Sequence, residues 1–457
     1  MFNKFILSSI ITFFLFNNSF SQQFAKEKIL ADLDYLNKSI KEAHYNIYAY
    51  TPKKELDSAY SEIKKTIHKD SLNLLQVTNL FQKLTSAINN GHTEIDFPIN
   101  SYKEYAYNKG TVFPLEISFE NGKNLIRKNF SNNSEIKVGA EILSINGIPM
   151  KDILSKIYPQ ISAERTYLKN VKIEVYSFPR YYWQVFGKQD HFEIETQDKE
   201  KIKKYLIDAV NLIDGYETKR TEVLNAKMSL QYFETSSYLN PGNFGGDEKA
   251  YQKFIDSAFS KINKSGKRNL IIDLRNNAGG DNSFSDYLVS YIANKPFRWN
   301  SKLTIKTSKF LKEHTRKHND TTDTYFKNIL NHTDNEVYNY DFGEFQPQEK
   351  NKRFQGKVYV LINRQSHSQS AVTAAQIQDY KFGTIVGEET GDYPSLYASL
   401  FQYSLPNTGI VVKVPKGYIV RVNGSKKQEG VIPDIFIRDH LLDETDEILD
   451  QLLEKIN

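Results

Sequence analysis

The half of the chain that follows residue 228 is built from short strand-like runs separated by segments of helix length, and that alternation leaves few folds open. MSLQYF (Met228 to Phe233), NLIIDL (Asn269 to Leu274), VYVLIN (Val358 to Asn363) and TIVGEE (Thr384 to Glu389) are the runs. Residues 247–263, 283–293 and 369–380 between them have helical character. Strands that are apolar on both faces must be covered on both sides, which predicts a mostly parallel α/β layer over 228–457. Residues 299–350 interrupt it with a polar, Tyr- and Asn-rich stretch. It is longer than a structural loop requires, and a lid, an accessory subdomain and an inert insertion all fit it.

Upstream the pattern changes twice. Ile29, Leu30, Leu33, Leu36 and Ile40 recur at helical spacing, as do Leu74, Val77, Phe81, Leu84 and Ile88. They predict a small helical bundle over 22–95, closing near the turn signal Asn89-Asn90-Gly91. From Thr111 the period is two: PLEISF and KNLIRKNF flank the hairpin signal Glu120-Asn121-Gly122. VGAEILSINGIPMKDIL (Val138 to Leu154) then runs Gly turn, strand, Asn-Gly turn and helix start, the order of a PDZ-like domain, here placed over 96–198. The charged, weakly patterned residues 199–227 read as a linker.

The first 21 residues read as an export signal. Lys4 precedes the apolar run Ile6 to Phe16, and Ser19-Phe20-Ser21 offers the small residues a signal peptidase needs. The run is too short to span a bilayer, which takes about 20 residues. A periplasmic or extracellular protein without stable membrane insertion is the expectation. The chain has no cysteine, which removes disulfides, thiolate catalysis and Cys-type zinc sites together. Its 60 Lys and Arg are interspersed with 55 Asp and Glu, so no basic block marks a nucleic-acid partner. Nothing in the sequence speaks to oligomeric state.

Two strings carry candidate chemistry. In N-R-Q-S-H-S-Q-S-A-V-T-A-A-Q-I-Q-D (Asn363 to Asp379) a strand gives way to an Ala-rich helix at Ser368. Read locally, a serine there is a helix cap; as a nucleophile it would have free N–H groups and a helix dipole around it. L-I-I-D-L-R-N-N-A-G-G (Leu270 to Gly280) ends a strand in two glycines. Such a turn either packs tightly or lets an N–H approach a ligand; paired with the N–H of Gln369 it would make an oxyanion hole.

DLRNNAGG, then VLINRQSHSQSAVTAAQIQDY, then TIVGEETGD resembles the catalytic core of the tail-specific, or C-terminal processing, peptidases, with GAEILSINGIP similar to the PDZ-like domain found upstream in that family. The resemblance implies an α/β peptidase core, Ser368 as nucleophile, and Gly279 or Gly280 with Gln369 as oxyanion donors. The better-known branch pairs its serine with a lysine. Here the matching stretch is Thr390-Gly391-Asp392-Tyr393, with Tyr393 where the lysine would fall. The tricorn-like relatives instead draw a His from the end of their helical part and a Glu from an E-x-G-V-x-P-D-like string. That implies His92 of Gly91-His92-Thr93 as general base and Glu429 of Q-E-G-V-I-P-D as its orienting acid. A serine precedes the His in that pattern, where this chain has Gly91. His367, next to Ser368, is a poor base because neighbouring side chains at a helix start diverge. Glu388 and Glu389 read as structural.

Other signals are bland. His314 and His318 have i, i+4 spacing, but EHTRKH lacks the Glu of H-E-x-x-H and is strongly polar. Ser61 to Lys64 matches S-x-x-K without partner motifs. The expectation is an exported serine peptidase that cleaves polypeptides through an acyl-enzyme on Ser368 and needs no cofactor. The alternative is a non-catalytic protein of the same fold, holding a polypeptide tail or an apolar ligand.

Overall fold

The computed structural model describes residues 22–456. The export signal expected over 1–21 lies outside them. Helices α1 (Lys26–Ala43), α2 (Lys53–Thr66) and α3 (Leu74–Ser86) open the described chain. Ile29, Leu33, Leu36, Ile40, Val77, Phe81, Leu84 and Ile88 are all buried, as the helical period requires. Asn73 and Gln76 form a reciprocal capping box at the start of α3.

An antiparallel sheet follows, in the order β1 (Leu115–Glu120), β2 (Lys123–Asn129), β3 (Glu141–Ile145), β4 (His191–Asp198), β5 (Lys201–Asp208), with Ile148–Pro149 added beside β3. Helices α4 (Met150–Ile157), α5 (Thr166–Tyr176) and α6 (Phe178–Phe186) lie between β3 and β4. Asn121 and Gly122 both have positive φ, as do Asn146 and Gly147, which is what two-residue hairpin turns demand. The residues expected to be a linker begin with β5, which pairs with β4 along eight rungs. Its Lys-rich exposed faces hid it in the sequence; charge on an edge strand is a usual defence against edge-to-edge pairing.

The strands after residue 228 are β6 (Ser229–Tyr232), β7 (Ser236–Asn240), β8 (Asn269–Asp273), β9 (Lys302–Lys306), β10 (Val337–Tyr340), β11 (Lys357–Ile362), β12 (Thr384–Gly387), β13 (Leu396–Ser404), β14 (Val411–Val420) and β15 (Ile435–Phe436). They sort into two sheets. One runs β6-β7-β8-β11-β12-β15, parallel except for the β6–β7 pair. It is sandwiched between α7 (Glu248–Lys264), α8 (Asn282–Ser290) and α9 (Gln369–Tyr380) on one face and α10 (Glu447–Ile456) on the other. The α/β layer read from the sequence is therefore present.

The second sheet, β10-β9-β14-β13, is antiparallel. It changes the reading of 299–350: that segment supplies β9 and β10, and its Leu303, Ile305, Phe310, Leu311 and Ile329 share one core with α1 and α3. A few buried apolar residues spaced among many polar ones gave too weak a period to be seen.

Helix α9 carries Ser368 at its head and is held by α8. Gln369 Nε2 donates to Ser285 Oγ at 2.9 Å, and Gln376 Nε2 donates to Asp286 Oδ1 at 2.9 Å. Burial pushes the Asp286 carboxyl up to about 6 from 3.8. The folded state thus binds that proton more tightly than the unfolded chain. Stability from this group is complete below 3.8 and is lost as pH rises through 6. Asp286→Asn is expected to stabilise the protein at pH 7 by on the order of 2 kcal/mol, a gain that vanishes near pH 4. Urea unfolding of both proteins at the two pH values checks it; a gain independent of pH contradicts it.

Candidate active site

Ser368 stands on the turn between β11 and α9 with φ 51° and ψ −122°. A non-glycine residue there costs on the order of 1–3 kcal/mol, which the surroundings must offset. Its side chain makes no capping bond to the helix, so the cap reading of the sequence does not hold. Oγ instead lies 3.4 Å from Nε2 of His92, 276 residues earlier. The strain is held from three sides. Ser368 N–H donates to Oδ2 of Asp392 at 2.8 Å, His367 N–H donates to the Asn277 carbonyl at 3.0 Å, and Gly279 packs against the turn. Gly279 has φ +86°, and a Cβ there would sit 2.6 Å from the His367 carbonyl oxygen and 2.8 Å from Gln369 N.

The backbone donors around Ser368 divide clearly. The N–H of Gly279 is taken by Asn277 Oδ1 at 2.7 Å, and that of Ser368 by Asp392. Those of Gly280 and Gln369 meet no acceptor among the described residues. Gly280 cannot carry a side chain, since its Cβ would fall 1.8 Å from the Phe244 carbonyl oxygen.

His92 is buried on the loop after α3, and the middle sheet's helices hold that loop. Gly91 N–H and Asn90 Nδ2 both donate to Oε1 of Glu164, at 2.8 and 3.1 Å. Lys172 Nζ donates to the Gly91 carbonyl at 3.0 Å. Burial moves the imidazole's pKa down, against the opposing charges of Asp392 and Glu164, so His92 is the neutral form that can accept a proton. Its Nδ1 is buried with no hydrogen-bond partner among the described residues. Burial foremost, then the charge of Asp392, moves the Glu164 carboxyl up.

Asp392 is almost wholly buried, its side chain 1% exposed. Burial works to raise its pKa, but His367, His92 and the Ser368 N–H outweigh that and hold it below 3.8. Its Oδ2 lies 3.9 Å from His92 Nε2 and 3.2 Å from His367 Nε2, and the two imidazoles stack at 5.4 Å.

The structure therefore brings Ser368, His92, Gly279, Gly280 and Gln369 together. It does not bring Glu429 to them. That side chain is 46% exposed and faces Lys427 at 3.6 Å. The string around it docks through its backbone: Gly430 N–H donates to Glu389 Oε1 and Val431 N–H to Thr390 Oγ1, both at 2.8 Å. Glu388 is structural, accepting from the Arg364 guanidinium at 3.2 Å. Sequence reasoning missed Glu164 and Asp392. The second was one residue from the position where a lysine was sought.

Residues 236–437, which supply Ser368, Gln369, both glycines and Asp392, match the family model of Peptidase family S41. In fold the chain is similar to mature CPAF, at a TM-score of 0.61 and 14% identity, covering 90% of this chain and 92% of that one. It is similar also to mature CPAF complexed with lactacystin, at 0.62 and 14%, covering 90% and 94%. The photosystem II D1 C-terminal processing protease aligns at 0.43 and 15%, covering 90% and 93%. No curated protein matches the chain in sequence. Residues 236–437 thus carry the match to Peptidase family S41, and the protein is a serine-type peptidase.

Proposed function

We propose that this peptidase works as a Ser–His enzyme, with Ser368 as nucleophile and His92 as general base. The observation that carries this is the 3.4 Å approach of His92 Nε2 to Ser368 Oγ from a distant part of the chain. A serine hydroxyl is a poor nucleophile until a base accepts its proton. His92, neutral and within reach, takes that proton as Oγ attacks a peptide carbonyl. The oxyanion that forms lies against the N–H groups of Gly280 and Gln369, the two that no internal bond consumes. His92 then returns the proton to the leaving amine, and water hydrolyses the acyl-enzyme.

A base that presents Nε2 to the serine carries its own proton on Nδ1. The acid that serves it is Glu164 rather than Glu429. Its carboxylate is fastened to Gly91, the residue before His92, and its charge acts on the imidazole. Glu164 therefore holds the loop that presents His92, and its charge stabilises the imidazolium. Asp392 does a different job: it faces Nε2 and the Ser368 N–H, pinning the nucleophile turn. The substrate is a polypeptide, and the sheet built on β1–β5, with its PDZ-like order, is the place to hold an extended tail. The export signal read from residues 1–21 would put the enzyme outside the cytoplasm, periplasmic or extracellular.

A fluorophosphonate probe should label Ser368 and fail to label Ser368→Ala. His92→Ala should slow labelling by about 10²–10⁴-fold. Glu164→Gln should slow it by at least about tenfold, while Glu429→Gln labels at the normal rate. Normal labelling of Glu164→Gln with slow labelling of Glu429→Gln would reverse the assignment of the acid.

Gly279→Ala tests the oxyanion geometry. The new Cβ meets the His367 carbonyl and Gln369 N, so the turn must shift. Turnover of an unfolded polypeptide is expected to fall by about 10²-fold or more with the far-UV spectrum retained. Turnover within a factor of two of the parent would show that the donors lie elsewhere.

A further inference from the structure

We propose that the same pocket is a site for one zinc-type divalent cation, held by His92 Nε2, His367 Nε2 and Asp392 Oδ2, and that the bound ion switches the peptidase off. The inhibitory half rests on the Ser368–His92 reading above; the binding half does not.

The donor atoms are gathered already. All three lie within 4.8 Å of one another, with Asp392 Oδ2 at 3.2 Å from His367 Nε2 and 3.9 Å from His92 Nε2. Around a tetrahedral Zn²⁺ with bonds of about 2.0–2.1 Å, neighbouring ligand atoms stand about 3.4 Å apart; both Asp392 distances lie within about half an ångström of that, and side-chain rotation closes the two imidazole nitrogens, now within 4.8 Å, onto the ion. Two imidazoles and one carboxylate suit zinc and disfavour Ca²⁺ and Mg²⁺, which take oxygen ligands. The ligands are preformed, because stacking of the two rings and the Ser368 N–H bond to Asp392 fix them.

Two orphaned atoms point independently to a ligand. His367 Nε2 is buried and, although 3.2 Å from Asp392, is misaligned for a hydrogen bond to it. A metal ion placed between the two would satisfy the lone pair that no donor reaches. The other is His92 Nδ1. A metal-bound imidazole typically donates its second N–H to a carboxylate, and Glu164, fastened to the neighbouring Gly91, is a carboxylate whose charge acts on this ring. The tautomer that makes Nε2 a base is therefore the one that makes it a ligand.

Inhibition follows from valence. His92 Nε2 has one lone pair, and a coordinated nitrogen cannot also accept the Ser368 proton. The ion and the hydroxyl proton compete for the same electrons, so occupancy stops acylation without blocking the backbone donors. His367, which the peptidase mechanism does not use, gains a role as the third ligand.

Metal-stripped full chain should bind one Co²⁺ with the visible d–d bands of a tetrahedral site, displaced by Zn²⁺. Ser368→Ala should bind it equally, since the hydroxyl is no ligand. His367→Asn and Asp392→Asn should each weaken Co²⁺ binding by more than about 100-fold, with His367→Gln as a second variant should the first misfold by circular dichroism. Saturating Zn²⁺ should slow fluorophosphonate labelling of Ser368 by at least about tenfold, reversibly with EDTA. In His367→Asn the ratio of rates with and without Zn²⁺ should return to near one.

Absence of Co²⁺ binding, or binding unchanged in folded His367 and Asp392 variants, overturns the site. Equal zinc inhibition of the parent and His367→Asn overturns its role as the switch. A chain that binds Co²⁺ through these residues yet is never labelled at Ser368 keeps the metal site and removes the Ser368–His92 mechanism instead.

Discussion

The guanidinium of Arg364 is the point from which the site hangs. It is buried among three carboxylates: Glu120 at 2.7 Å, Glu174 at 2.9 Å and Glu388 at 3.2 Å. Glu120 ends β1, Glu174 is on α5, and Glu388 follows β12, while Arg364 itself lies four residues before Ser368. Taking one cation and three anions out of water is expensive, and the arrangement persists because each pays through its hydrogen bonds. Arg438 adds a second cation at Glu120. Removing the arginine would leave buried carboxylates without a partner, a loss on the order of 3–5 kcal/mol. The cluster joins the middle sheet to the turn that carries Ser368.

Helix α5 is the strut of that junction. At one end of its contacts Glu174 binds Arg364 and, through Oε2, Gln365 Nε2 at 3.1 Å. At the other, Lys172 holds the Gly91 carbonyl, and Glu164, two residues before the helix, holds the Gly91 N–H. The loop bearing His92 and the turn bearing Ser368 are thus both tied to one element. A base within about 3 Å of a nucleophile loses its effect when displaced by an ångström, and a shared strut is how residues far apart in sequence keep that distance. The strain at Ser368 is sustained in the same way, by groups that would lose hydrogen bonds if the turn relaxed.

How much of this was legible in the sequence depended on whether the signal was local. Buried parallel strands declare themselves as apolar runs, and the Asn-Gly hairpins declare their positive φ. Edge strand β5 did not, because its exposed lysines erase the alternation. Nor did β9 and β10, whose few apolar residues matter only against α1 and α3. At the site, Ser368 and the glycine turn were readable because backbone geometry dictates those residue types. Glu164 and Asp392 were not, because a carboxylate acquires its role from what lies across a tertiary gap. Glu429 shows the converse: its string is a true docking segment, but the side chain that seemed chemical is the one facing solvent.

Under the proposed Ser–His reading, the two departures from the expected motifs form one rearrangement. The tricorn-like pattern sought in the sequence has a serine before the histidine; here Gly91 stands there, and a Cβ on it would lie 2.8 Å from Glu164 Oε2. Any side chain at 91 would displace that carboxylate from the His92 loop. Glycine is thus the condition for Glu164 to approach, not the loss of a relay. The stretch that would carry a lysine carries Asp392, whose charge stabilises a protonated imidazole and would hold a lysine in its ammonium form, unable to act as a base. A serine beside a lysine needs that lysine desolvated and unpaired; a serine beside a histidine needs carboxylates near the ring. On the proposed Ser–His reading, Glu164 is fastened to the residue before His92 and Asp392 approaches its Nε2, so the missing lysine and the missing serine would both accompany a histidine base.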